Sequence, residues 1–392
     1  MSVVIVGGGI AGATLALALS QLTQGQLSID LIEAKPLAEH HDTGFDSRSL
    51  ALAEGTCQML AQLGIWQVIE HKAEAIKTIQ TSEQGHAGLV TFSARAFKLP
   101  AFGRVIELSD VGKGLASLLR QQPNIRLHCP VHVVDIERTL EAVTLTLNNG
   151  QQLSGKLAIA ADGAHSLLAE QLNIPVHHSD YRQVAIIANV RCATPKTGWA
   201  FERFTPQGPL ALLPMINQRH SLVWCHHSAE QHRVERWSDD EFIHHLQHAF
   251  GWHLGPIEKV SERHAYPLAL QYRTQHISHR IAFVGNASQT LHPIAGQGFN
   301  LGLRDVMALA NVVNQAIQSD EDIGSYVVLD RYQQARLADQ QKMVTFTDGL
   351  VRLFSSDNLL LTGVRNLAMF TLDQSSCLQR QLIKQAMGEF KR

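Results

Sequence analysis

Cysteine is scarce in this chain. Five occur in 392 residues (Cys57, Cys129, Cys192, Cys225 and Cys377), and no two are spaced as a CxxC pair. That excludes a disulfide scaffold and points to a reducing, cytoplasmic compartment. Charge of one sign is also lacking. The formal net charge is -2, and Lys and Arg do not cluster, so no nucleic-acid footprint is expected. There is no HExxH, no Cys/His ligand set and no GxSxG elbow, which argues against a zinc hydrolase and a serine hydrolase. The 21 histidines include His244, His245 and His248 at helical spacing and the pair His226–His227. These are expected to be solvated surface residues, with no metal bound. The uncharged stretch 2–21 has no basic flank, and Gly7, Gly8, Gly9 and Gly12 interrupt it. It is neither a cleavable signal nor a membrane span.

What replaces a span there is a βαβ unit. A β-branched run at 2–6 predicts a buried parallel strand. Residues 10–22 predict an Ala/Leu helix, and 28–33 a second strand ending in Glu33. Gly7-x-Gly9-x-x-Gly12 joins the first strand to the helix. The first glycine permits the turn, the second lets backbone approach a pyrophosphate, and the third lets helix and strand pack closely. The helix N-terminus offers free N–H groups and partial positive charge to the phosphates. Glu33 stands 21 positions beyond Gly12, where a carboxylate accepts hydrogen bonds from an adenosine ribose and repels a 2′-phosphate. This fingerprint leaves FAD and NAD as alternatives.

Further along, 49–63 predicts a helix, 75–98 strands, and 111–121 a helix. Residues 125–129, 131–137 and 143–147 predict strands, with Asn148-Asn149-Gly150 turning into another at 152–157. The middle, 184–268, is strand-rich with one polar helix at 239–250. A buried strand at 280–284 leads into a glycine loop and a long helix. Residues after about 345 are expected to be helical, and the leucine-rich stretch 350–370 to pack on the core or meet a membrane surface.

Two later segments separate the cofactors through a resemblance. Ala161-Asp162-Gly163-Ala164-His165-Ser166 resembles the Asp-Gly motif of the class A FAD-dependent aromatic hydroxylases. The run 285–305 resembles their second flavin motif; it opens Gly285-Asn286 and contains Gln289-Thr290-Leu291-His292-Pro293 and Gly296-Gln297-Gly298-Phe299-Asn300. Three departures stand out: Asn286, Gln289 and Ala169 replace the family's usual Asp, His and Arg. Asp46-Ser47-Arg48-Ser49-Leu50-Ala51-Leu52, Phe201-Glu202-Arg203-Phe204-Thr205-Pro206, Gly208–Pro214, Leu222-Val223-Trp224 and the late Tyr332, Arg336, Asp339, Thr347-Asp348 and Leu353-Phe354 resemble the ubiquinone-biosynthesis hydroxylases. Gly285-Asn286 with Gln289–Pro293 is most similar to their 2-octaprenyl-6-methoxyphenol hydroxylase branch.

The resemblance implies an α/β fold: a Rossmann-like FAD-binding domain of the para-hydroxybenzoate hydroxylase type, with an inserted mixed-sheet substrate domain and C-terminal helices. The expected divisions are 1–75, 98–180 and 268–345 for FAD, 76–97 and 181–267 for substrate, and 346–392 as the helical end. It implies FAD as cofactor, NAD(P)H as electron donor and dioxygen as co-substrate. The implied reaction is hydroxylation of a polyprenylated methoxyphenol through a flavin C4a-hydroperoxide, on the route to ubiquinone. Alternatives are a sibling ring hydroxylase, a flavin dehydrogenase or oxidase, and a non-catalytic flavin subunit. A halogenase is disfavoured because no WxWxIP segment occurs. The implied partners are the polyprenyl phenol, other ubiquinone-biosynthesis proteins and the inner-membrane surface.

The flavin ligands implied are Gly7, Gly9, Gly12, Glu33, Arg48, Asp162, Gly163, Gly285, Asn286, Pro293, Gly296, Gln297, Gly298, Phe299 and Asn300. His292, Pro293 and Gly296 form the flavin-face loop where the chemistry is expected. Phe201, Phe204, Leu212 and Pro214 are expected to face the substrate ring. Asp162 and Asp305 read as a turn residue and a helix-surface charge.

Overall fold

The computed structural model describes residues 1–35, 48–86, 88–291, 297–354 and 379. Its first layer is a six-stranded sheet. The strands run in the order Ile277–Ser278, Ile281–Phe283, Leu157–Ala160, Ser2–Val6, Ser28–Ile32 and Ile125–His128. All neighbours are parallel except the first pair. The runs Val3–Val6 and Leu157–Ala160 are apolar at every position because both faces of the sheet are covered. Val3 and Ile5 pack with the helices Ile10–Leu22 and Gln297–Gln318. Val4 and Val6 pack on the other side against a three-stranded antiparallel layer, through Val133, Val143 and Leu145.

A nine-stranded mixed sheet forms the second body; its long strands are His177–Cys192, Trp199–Thr205, Gly208–Met215, Arg219–His227 and His264–Tyr272. The helix Asp239–Phe250 covers one face. It starts at a capping box, in which Ser238 Oγ accepts from the Glu241 N–H and Glu241 Oε2 accepts from the Ser238 N–H. Its apolar side places Phe242, Leu246 and Phe250 on Val184, Ile186, Leu212, Leu222 and Trp224.

Three expectations need correction. Residues 49–63 are not one helix: Ser49–Ala53 is a strand antiparallel to Gly103–Glu107, and the helix is Glu54–Gln62. Backbone pairing to Gly103–Glu107 outweighs helical propensity here, because Asn300 also satisfies two groups of this strand. The stretch 152–157 is divided: Gln152–Gly155 turns back on Val143–Leu147, whereas Leu157 already belongs to the parallel sheet. The helix expected after about 345 is present as far as Phe354, as part of a helix Tyr326–Phe354. Asp305 is not a surface charge but fully buried. The stretch 355–370 lies outside the described residues. No helix among the described residues is long and apolar enough to cross a membrane.

Candidate active site

The turn after the first strand is built from backbone contacts that exclude side chains. Gly7 has φ +102°, and a Cβ there would lie 2.5 Å from the Ala161 carbonyl oxygen. A Cβ on Gly12 would lie 1.9 Å from the Gly7 oxygen, so helix and turn touch. Gly9 is different, since nothing lies within 4 Å of where its Cβ would stand. It caps the helix Ile10–Leu22 with extended backbone, no side chain closes that helix end, and no acidic residue occupies the first turn. The first-turn N–H groups are therefore left to an outside acceptor. A pyrophosphate fits this cradle in shape and in charge.

Glu33 follows the second strand. Its Oε2 accepts from the Gly8 N–H at 2.7 Å and its Oε1 from the Lys35 N–H at 2.8 Å. A Cβ on Gly8 would stand 2.8 Å from Glu33 Cβ. Gly8 therefore belongs to the constellation too, although the GxGxxG spacing does not mark it.

The Asp-Gly segment abuts this turn: a Cβ on Gly7 would come within 2.8 Å of Asp162 Cα. Asp162 Oδ2 accepts from the Leu167 N–H at 3.0 Å, while its Oδ1 is buried without a partner. Burial pushes the Asp162 carboxyl above its ordinary range, against hydrogen bonds from Ser166 and nearby backbone that pull it down. Gly163 turns beside it with φ +92° and open space at its Cβ position. An unpartnered buried acceptor next to open space suits a ligand rich in hydroxyl donors, such as the ribityl chain of FAD. Ala169 is buried in the apolar layer beneath, beside Leu168.

The second flavin segment closes on the first. Gly285 has φ +61°, and a Cβ on it would lie 3.2 Å from Ala11 Cβ; a Cβ on Gly302 would lie 3.0 Å from Gly285 Cα. Two helix N-termini thus converge on one space, with Gly298 open toward it and Phe299 packed on the main core. Asn286 is exposed, free to meet a ligand. Asn300 is not: its Oδ1 accepts from the Ala53 N–H at 2.8 Å and Thr56 Oγ1 at 2.7 Å, and its Nδ2 donates to the Ala51 carbonyl at 3.0 Å. Its carboxamide stitches the strand to the helix, leaving only its backbone for a cofactor. Gln297 opens this helix. His292, Pro293 and Gly296 lie outside the described residues.

Behind Gly285 lies a buried polar network that sequence reading missed. Asp305 accepts from the Gly285 N–H, from Gln289 Nε2 and from Arg336 Nε. Gln289 Oε1 in turn accepts from Gln340 Nε2 at 2.9 Å. The departure at Gln289 is thereby explained: one carboxamide both donates to the Asp305 carboxylate and accepts from an amide.

Arg48 reaches the other body. Its Nη1 donates to the Tyr266 hydroxyl at 3.2 Å, and the guanidinium lies over that ring. Tyr266 stands on the face of the nine-stranded sheet opposite the helix Asp239–Phe250. The strands alternate cleanly. Phe201, Leu210, Leu212, Leu222, Trp224 and Ile186 are buried under the helix. Glu202, Ala211, Val223 and Ile187 form one cross-strand row on the other face, each only partly buried. Three of the four expected substrate contacts are corrected by this alternation. Phe201 packs edge-on against Phe250 at 5.4 Å, Leu212 joins the same core, and Pro214 shares their side. Phe204 lies on the face of Glu202, because side chains two residues apart share a face.

Among the described residues no group of His, Cys, Asp and Glu is arranged to hold a metal. His244, His245 and His248 are exposed. His226 is not: it is buried against Trp224, with ring centroids 4.3 Å apart.

Comparison with known proteins adds to this geometry. A family model described as an FAD binding domain matches residues 1–347. Ubiquinone hydroxylase UbiL of Rhodospirillum rubrum is 33% identical over 389 residues, covering 99% of this chain and 90% of that protein. The 3-demethoxyubiquinol 3-hydroxylase of Escherichia coli is 32% identical over 387 residues, covering 98% of both chains. Among solved structures, p-nitrophenol 4-monooxygenase PnpA from Pseudomonas putida superposes with a TM-score of 0.80 at 17% identity, over 99% of this chain and 98% of that one. A single-residue variant of Klebsiella pneumoniae HpxO complexed with FAD gives 0.77 at 17% identity, over 99% of each chain. These two likenesses show the fold.

Proposed function

We propose, from the premise that this chain belongs to the FAD-dependent aromatic monooxygenases of the ubiquinone-hydroxylase family, that it hydroxylates the ring of a polyprenylated 6-methoxyphenol to the 1,4-benzoquinol. The observation that carries the reading is a glycine cradle together with a partly buried sheet face that Arg48 touches. Gly9, Gly163 and Gly298 leave open space at their backbone turns, and Arg48, which leads into the strand that Asn300 holds, donates to Tyr266 on the partly buried face of the nine-stranded sheet.

In this reading Gly7, Gly9 and Gly12 hold the FAD pyrophosphate against the helix N-terminus. Glu33 accepts from the adenosine ribose, and Asp162 Oδ1 from the ribityl chain. Asn286 supplies a neutral acceptor where a carboxylate is usual. FAD supplies the oxygen-activating chemistry, with electrons from NAD(P)H and oxygen from dioxygen. The protein's part is to orient the phenol on the Ala211–Val223 face and to exclude bulk water. A prenyl tail leaves along the apolar part of that face, toward solvent or a membrane surface. His292, Pro293 and Gly296 are assigned to the flavin-face loop on the resemblance alone.

The similarity to a 3-demethoxyubiquinol 3-hydroxylase favours a second reading, hydroxylation at a neighbouring ring carbon. One experiment tests both. Purified protein is supplied with FAD, reduced nicotinamide, labelled dioxygen and each prenylated ring in turn. Label in the quinol from one ring identifies the step, whereas an unlabelled quinol rejects oxygen insertion.

A further inference from the structure

On the recess face of the nine-stranded sheet, Glu202 is surrounded by protein yet keeps contact with solvent. Thr81 and Ala211 flank it in register on the neighbouring strands. Its carboxylate makes no hydrogen bond or ion pair among the described residues. That isolation is unusual, since an ionised carboxylate away from bulk water is costly unless paired. Other buried carboxylates are paired: Glu107 with Arg219, and Glu54 with Arg104 at 3.1 Å. The first ties two strands together, and the second ties the start of the helix Glu54–Gln62 to the strand Gly103–Glu107. Glu202 fastens nothing, so a structural role does not account for it.

We propose that Glu202 is a catalytic residue that accepts the ring-hydroxyl proton of the bound phenol; the assignment rests on the phenol-hydroxylase reading above. The phenolic O–H bond breaks, its electron pair stays on oxygen, and the proton forms a new bond to a Glu202 oxygen. The added electron density reaches the ring carbons ortho and para to that oxygen, which favours attack on an electrophilic oxygen. Glu202 then releases the proton to solvent through the recess.

The surroundings suit the task. Burial pushes the Glu202 carboxyl up to about 7, where a general base works best at neutral pH. On the same sheet face lie the buried Glu83 of the adjacent strand and, two strands away, the Cys225 thiol. The Glu202 charge itself holds Cys225 further toward its neutral form, in addition to burial. Further along the same sheet face lie the Arg48–Tyr266 contact and Arg219, which is paired with Glu107. None of these cations is bonded to Glu202. Arg203, next in sequence, points to the opposite face, where it donates to the Ala249 carbonyl at 2.8 Å.

The test uses FAD-loaded wild type, Glu202→Gln and Glu202→Asp. Turnover of a 6-methoxyphenol carrying one isoprene unit is followed against pH, and 4-nitrophenol binding to the oxidised protein is followed by absorbance. In wild type, kcat/KM is expected to rise with pH through about 7. Glu202→Gln is expected to lose that limb and roughly 10²–10⁴-fold in rate, with Glu202→Asp recovering part of both. Removing the carboxylate also removes a like charge, so bound 4-nitrophenol is expected to ionise about one pH unit lower in Glu202→Gln. A group that only supports the fold would not move that midpoint. An unchanged midpoint, or survival of the pH limb in Glu202→Gln, overturns the assignment. If wild type itself binds no phenol, the hydroxylase reading fails first and the assignment falls with it.

Discussion

Nε of Arg336 donates to Oδ1 of Asp305 across 2.7 Å, and both side chains are buried. Through its other oxygen Asp305 holds the Gly285 N–H and Gln289, so this pair sets the backbone of the second flavin segment from behind. Arg336 also meets Asp339, which Arg304 shares. Replacing Asp305 with Ala leaves Arg336 short of a partner in the core. The expected cost is about 3–5 kcal/mol, read from a denaturant midpoint, together with loss of bound FAD.

Gly9 and Gly12 separate binding from folding. At Gly12 an added Cβ meets backbone at 1.9 Å, so Gly12→Ala is expected to leave little folded protein. At Gly9 the added methyl meets nothing of the chain. Gly9→Ala loses no more than about 1 kcal/mol as a helix cap, yet it fills the space a pyrophosphate needs. Thermal melts of the apoprotein alongside FAD titrations distinguish the two.

Glu33 accepts two backbone N–H groups before any ligand arrives. Glu33→Gln keeps the shape and removes the charge. Charge-assisted hydrogen bonds contribute about 1.5–3 kcal/mol, so FAD affinity is expected to fall about tenfold or more, as measured by flavin fluorescence quenching.

The alternation of the large sheet makes opposite predictions for its two faces. Phe201→Ala opens a hole under the helix Asp239–Phe250 and is expected to cost about 3–5 kcal/mol, with KM for the phenol little changed. Ala211→Leu, on the recess face, is expected to raise KM at least several-fold while the melting temperature barely moves.

Burial holds the His226 ring down at about 4, with Arg233, His227 and His245 adding to the effect. Its folded value lies below the unfolded value near 6.5, so between those limits the unfolded chain binds the extra proton. Stability from this site is complete above about 6.5 and lost as pH falls toward 4, at about 1.4 kcal/mol per pH unit. Melting curves of wild type and His226→Phe at pH 7 and pH 5 should differ in slope. Equal slopes would remove His226 as a cause of acid sensitivity.

Local order along the chain carried the cofactor half of this protein. Gly7, Gly9, Gly12 and Glu33 could be read because they belong to one continuous βαβ unit, where turn, helix end and strand end follow each other in sequence. Periodicity also revealed the helix at 239–250 and most strands. Which face of the large sheet looks inward could not be read that way. Phe201 and Glu202 are neighbours in sequence, and only packing of a distant helix decides which one is covered. The same holds for Asp305, whose partners Gly285, Gln289 and Arg336 are 16 to 31 positions away. The sequence by itself determined a glycine turn at a helix start, because backbone sterics there are local. Tertiary structure alone decided where a lone carboxylate faces, because burial depends on surfaces brought together from across the chain.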